Sequence, residues 1–123
     1  RQDNAKFISS RLEKFNEITM PKTLENTSHI FQMFTIKLKN KEIRDKLHKF
    51  LITKKIFSKV YFSPIHKTEF YKEKYPDTDK ELPITNLIAS KVLTLPLYPN
   101  MTNDEKHFLV DSISEFFEEN NLN

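Results

Sequence analysis

The stretch His29–Leu51, HIFQMFTIKLKNKEIRDKLHKFL, changes its period part-way along. Phe34, Ile36 and Leu38 alternate with Thr35 and Lys37. That pattern turns one apolar face of a strand to a core and one polar face away from it, and it predicts a strand over residues 29–38. Past Asn40 the apolar positions are Ile43, Leu47, Phe50 and Leu51, the spacing of one helix face. Asn40 suits the N-cap, and Glu42 suits the positive end of the helix dipole. A strand leading straight into a helix, each with one apolar side, requires more elements to complete the core.

Those elements lie on both sides. Upstream, Ala5, Ile8, Leu12 and Phe15 predict an amphipathic helix from Asn4 to Ile18, stopped before Pro21. Downstream, Ile56–Phe62 is aromatic and β-branched and predicts a second strand that ends at Ser63-Pro64, with a short helix following from His66. Tyr75–Leu82 is polar and is expected to break regular structure. Pro83 fits the first position of a helix carrying Ile84, Leu87 and Ile88 and ending near Lys91. Val92–Leu97 reads as a strand, with Pro96 favouring an edge or its last residues. Thr102 and Glu105 form a capping box ahead of a final helix with Leu109, Ile113, Phe116 and Phe117 on its apolar face, and the tail from Asn120 is expected to fray. The fold class is therefore α+β, a small sheet of about three strands covered by helices. Residues 1–123 make a single domain.

Composition narrows what such a domain does. The chain has 123 residues, of which 37% are hydrophobic and 30% charged, a balance that folds. Glycine is absent, which excludes Gly-rich phosphate loops and dinucleotide fingerprints within this chain. Cysteine is absent too, so no disulfide or thiolate metal site is expected, and a reducing cytoplasm is compatible. His29, His48, His66 and His107 show no HxxH or HExxH pairing, and no metal is expected. The net charge of +3 is spread along the chain. Lys37, Lys39 and Lys41 flank an aromatic-rich strand without an RNP-like motif, so they read as a solvated edge rather than an RNA face. Neither a membrane span nor a signal peptide is indicated. Opening at Arg1 inside a helical pattern, the chain reads as part of a longer polypeptide.

Two segments carry a more specific signal. IFSKVYFSPIH, Ile56–His66, and LPITNLIASKVLTLPLYPNMTNDE, Leu82–Glu105, occur in order. Through Ile56, Ser58, Tyr61, Phe62, Pro64, Ile65 and His66 in the first, and Pro83, Leu93, Thr94, Leu95, Pro96, Tyr98, Pro99, Thr102 and Glu105 in the second, the chain resembles the C-terminal part of DegT/DnrJ/StrS sugar aminotransferases. RQDNAKFISSRL resembles the end of the long helix joining the two domains of those enzymes. Family members usually carry Gly where this chain has Lys55, at a left-handed helix end, and many have Glu where it has Asn86.

The resemblance implies the C-terminal small domain of an aspartate aminotransferase-like, fold type I enzyme. Residues 1–19 would end the interdomain helix and 20–123 would form the small domain. It implies PLP in the full-length parent, held by a lysine of the large domain, with none expected in this chain alone and no catalytic residue here. The implied partners are that large domain, a second copy in a homodimer, a nucleotide-linked keto-sugar and glutamate, in the cytoplasm, with no nucleic acid and no membrane. Tyr61 and His66 are the candidate substrate-binding residues. Tyr61 would hydrogen-bond a sugar hydroxyl, and His66, after the rigid Pro64, would offer a ring nitrogen to a phosphate or hydroxyl. The alternative is a free-standing or degenerate regulatory module that binds nucleic acid or a small ligand.

Overall fold

The structure is a computed structural model and describes residues 1–120. It has the expected α+β class. One three-stranded antiparallel sheet, in the order β1-β2-β3, consists of β1 (Ile18–Thr19), β2 (Phe34–Leu38) and β3 (Val92–Leu95). The principal helices are α1 (Gln2–Leu12), α2 (Lys41–Thr53), α5 (Pro83–Lys91) and α6 (Asn103–Glu119), with two short ones between, α3 (Glu69–Lys74) and α4 (Thr78–Glu81).

The alternation in β2 sets the core. Phe34, Ile36 and Leu38 are buried, and Phe34 and Ile36 stand opposite Leu95 and Leu93 of β3. Side chains directly opposite on one face are the unit that stabilises a sheet, and these four apolar residues form its inner layer. Over it lie Leu47 and Leu51 of α2 and Leu109, Ile113 and Phe117 of α6, all buried in the same cluster. Helix α1 packs on α6, and its Asn4 Nδ2 donates to the Tyr98 carbonyl at 2.9 Å, tying the first helix to the turn before the last. Buried Arg44 donates from Nη1 to the Val92 carbonyl at 3.2 Å and so fixes α2 to the start of β3.

The caps follow the sequence. Asn40 Oδ1 accepts from the Ile43 amide at 2.9 Å. Thr102 Oγ1 accepts from the Glu105 amide at 3.2 Å while Glu105 Oε2 accepts from the Thr102 amide at 2.7 Å, the reciprocal capping box. Asn120 closes α6, its Nδ2 donating to Phe116 O at 2.7 Å. The rest of the tail expected to fray, residues 121–123, lies outside the described residues.

Four expectations are corrected. The helix expected over Asn4–Ile18 ends at Leu12, and Ile18–Thr19 pairs with Leu38 and Lys37 as β1. A tight turn, with Phe15 N–H donating to Leu12 O at 3.1 Å, keeps Phe15 on the buried side, where it stacks on Phe117 at 4.8 Å. Its spacing therefore mimics one more helical turn. The strand expected from His29 begins at Phe34, because Phe31 adopts a positive φ of 46° and its N–H donates to His29 Nδ1 at 2.9 Å. Ile56–Phe62 is not a strand. Only Lys59 pairs, with Thr94, through two 2.8 Å hydrogen bonds, and beyond it the chain leaves the sheet. Tyr75–Leu82 contains α4, one turn that follows Pro76 and Asp77.

Lys55 has the left-handed backbone that its position requires, with φ 61°. The Lys55 amide donates to Ile52 O at 2.9 Å and the Ile56 amide to Leu51 O at 2.8 Å, and buried Ile56 follows, which is a Schellman ending. A β-carbon is costly in that conformation, by roughly 1–2 kcal/mol, while glycine gives back part of the gain as chain entropy. Lys55→Gly is therefore expected to raise stability by about 0.5–1 kcal/mol in urea unfolding. A loss of stability would mean that this turn is not left-handed in solution.

Candidate functional site

The segment leaving the Lys55 turn is anchored at its start and free at its tip. Ser58 is buried and its Oγ lies 2.8 Å from His48 Nδ1 on α2, while Lys59 is fastened to Thr94. The two side chains that follow are presented outward. Tyr61 is 39% exposed and Phe62 70%, and their rings stack at 4.9 Å with 27° between planes. Pro64 then starts a 3-10 turn, Ile65–Lys67, which turns His66 into the protein.

His66 is only 6% exposed. Its Nε2 lies 3.0 Å from Asn86 Oδ1 on α5 and 3.4 Å from Asp79 Oδ1 on α4. Asn86 Nδ2 donates in turn to the Asp79 backbone carbonyl at 2.8 Å, and Lys67 Nζ is 3.4 Å from the Asp79 carboxylate. One imidazole thus joins three elements. Desolvation raises the Asp79 carboxyl, but the Lys67 ammonium, with its hydrogen bond and that of the Asn86 amide, outweighs it and holds the group below its ordinary value.

Between this turn and α5 runs an open cleft of about 740 Å³ lined by Phe62, Pro64, Ile65, Ile84, Ile88 and Ala89 among others. Ile84, in the helical pattern that predicted α5, is 74% exposed, and Leu87 is more than half exposed. The apolar positions of α5 face outward rather than into the core.

The structure therefore separates the two candidate residues. Tyr61 lies on Phe62 at the exposed tip, His66 is held inside the turn, and no hydrogen bond joins them among the described residues. Asp79, and Asn86 as the partner of His66, escaped the sequence reading. Asn86 stands 20 positions from His66, and no spacing rule links a loop histidine to a helix amide so far away. Among the described residues no group of three His, Cys, Asp or Glu is placed to hold a metal, and no helix is long and apolar enough to cross a membrane.

The DegT/DnrJ/EryC1/StrS aminotransferase family model matches residues 1–114. The chain belongs to that family. Among its relatives are the GDP-perosamine synthase of Escherichia coli O157:H7, 27% identical over 100 residues, which are 81% of this chain and 26% of that protein, and the dTDP-3-amino-3,6-dideoxy-alpha-D-galactopyranose transaminase of Aneurinibacillus thermoaerophilus, 24% identical over 80% of this chain and 26% of that one. The fold is that of S. venezuelae DesV, with a TM-score of 0.85 and 26% identity over 95% of this chain and 31% of that one. Helicobacter pylori PseC shares the fold at a TM-score of 0.84, with 15% identity over 96% of this chain and 32% of that one. The chain spans about a quarter of the length of these curated relatives.

Family membership raises the question of PLP. Its chemistry needs a lysine whose ammonium can lose a proton, an acid for the pyridine nitrogen and a donor-rich cup for the phosphate. Among the described residues no lysine is buried.

The Asp79 shift fixes a pH dependence. A carboxyl with a lowered folded pKa stabilises above its unfolded value, and that contribution disappears as pH falls through the folded one. Asp79→Asn is expected to destabilise the chain slightly at pH about 7 and less at about 3, as read by urea unfolding at both. An equal loss at both pH values would rule out the charge as the cause.

Proposed function

We propose that this chain is the C-terminal domain of a PLP-dependent aminotransferase acting on a nucleotide-linked keto-sugar, in which it closes one wall of the active-site cleft. The observation that carries the reading is a family match over residues 1–114 in a chain that spans about a quarter of its relatives' length. The relatives' names, a GDP-sugar synthase and a dTDP-sugar transaminase, support a nucleotide sugar as substrate. In this reading residues 1–19 end the helix that joins the two domains and 20–123 form the small domain. The large domain holds PLP, which supplies the amino-transfer chemistry when bound, and glutamate is the amino donor. The assembly is a homodimer in the cytoplasm.

Within that cleft this chain's own residues bind and orient. The exposed Tyr61 hydroxyl is free to donate to or accept from a sugar hydroxyl, its ring steadied by Phe62. His66 is positioned rather than mobile, because Asn86 holds one nitrogen and leaves the other for a ligand. The apolar cleft beside them excludes water once it is covered.

The test is the visible spectrum of the longer polypeptide carrying this domain, with PLP and then with glutamate. A bound band that changes on adding glutamate is the expected result. A folded polypeptide that takes up no PLP would sink the reading in favour of a repurposed binding module. In the active enzyme His66→Ala is expected to raise KM roughly tenfold, the equivalent of about 1.5 kcal/mol for one hydrogen bond lost. Unchanged KM and kcat would remove His66 from the site.

A further inference from the structure

The hydrogen bonds around His66 form a chain whose direction is forced at one end. The Asp79 backbone carbonyl can only accept, so the Asn86 atom 2.8 Å from it must be the amide nitrogen. The reverse placement would set two carbonyl oxygens against each other. Asn86 therefore turns Oδ1, an obligate acceptor, to His66 Nε2 at 3.0 Å, and Nε2 must carry the hydrogen. In the neutral ring that leaves Nδ1 bare, with a lone pair. Two charged groups lie close to this ring, the Asp79 carboxylate on α4 at 3.4 Å and Lys67 in the same turn. Lys67 is itself 3.4 Å from the Asp79 carboxylate, so the negative charge beside the imidazole is already partly answered. The shorter, better hydrogen bond is that to the amide, which brings no charge.

We propose that Asn86 is a positioning residue for His66, fixing the proton on Nε2 so that Nδ1 serves as a hydrogen-bond acceptor for a sugar hydroxyl rather than as a donor to a phosphate. The hydroxyl rests on the aminotransferase reading above; the tautomer does not. An ionised phosphodiester offers only lone pairs, and a bare Nδ1 meets it with another. A hydroxyl offers the proton that Nδ1 lacks. A carboxylate in place of the Asn86 amide would reverse the choice by favouring the doubly protonated ring, in which both nitrogens donate.

The test is nitrogen NMR of the chain labelled with ¹⁵N-histidine, with His66 identified by its loss in His66→Gln. The unmodified chain, at a pH where the ring is neutral, is expected to show hydrogen on Nε2 and a bare Nδ1; the opposite tautomer overturns the proposal without recourse to any further variant. Asn86→Leu is expected to bring in the Nδ1–H form while Asp79→Ala leaves the signature in place, and the reverse dependence would assign the role to Asp79. Dimethyl phosphate, whose anion carries no hydroxyl, added while the ring is neutral, is expected to leave the Nδ1 signal unmoved, and a saturable shift would give Nδ1 to phosphate instead. Were His66→Ala silent in the longer enzyme, the sugar role would fail and the tautomer would still stand.

Discussion

The pairing of Thr94 holds the domain and its site to one frame. Thr35 and Thr94 face each other across β2 and β3, and their hydroxyls are 2.9 Å apart. The Thr94 N–H and C=O do not point to β2 but outward, to Lys59, each in a 2.8 Å hydrogen bond. In an antiparallel ladder such pairs alternate with those that exchange backbone bonds, and the side chains come closer where the bonds are absent. One residue therefore faces the sheet with its side chain and the site segment with its backbone. A slip of one position would carry Leu93 and Leu95 out of the core, so the register that buries them also decides where Lys59 attaches.

From Lys59 the chain runs unpaired to Tyr61 and Phe62, and Pro64 then turns it back so that His66 meets α4 and α5. The segment is held at two points, a backbone pair at one end and a buried imidazole at the other. Between them the aromatic pair stands in solvent. A tip clamped on both sides can present a hydroxyl without the entropy of a loose loop, which is what orienting a substrate demands.

Period and capping chemistry made β2, α2, α5 and α6 legible, because each element declares its inner face or its first turn in a few adjacent residues. The Lys55 turn was legible only through the family pattern, since a lysine carries no local signal for a positive φ. Two errors came from spacing that satisfies burial without the expected geometry. Phe15 reaches the core from a turn, and Ile56 and Ser58 are buried in alternation without a partner strand beyond Lys59. The candidates Tyr61 and His66 came from the family motif. Which way each would face, and the amide and carboxylate that hold His66, depended on contacts between residues far apart in sequence.

The apolar residues of α5 lie outside the core. Ile84, Leu87 and Ile88 recur as core residues do, yet α5 has no buried residue, whereas the same signal in α6 marks six. Helix α5 meets α2 and β2, yet buries none of its residues against them. Exposed apolar area costs roughly 25 cal/mol for each Å², so a helix that keeps such a stripe outward is stabilised by whatever covers it. Ile84 and Ile88 form one wall of the cleft whose other wall is Phe62, Pro64 and Ile65, and those residues lead into the turn that holds His66. A body settling on α5 would therefore also cover Phe62, Pro64 and Ile65. That sets the tip of the segment and the uncovered apolar residues of α5 beside one another.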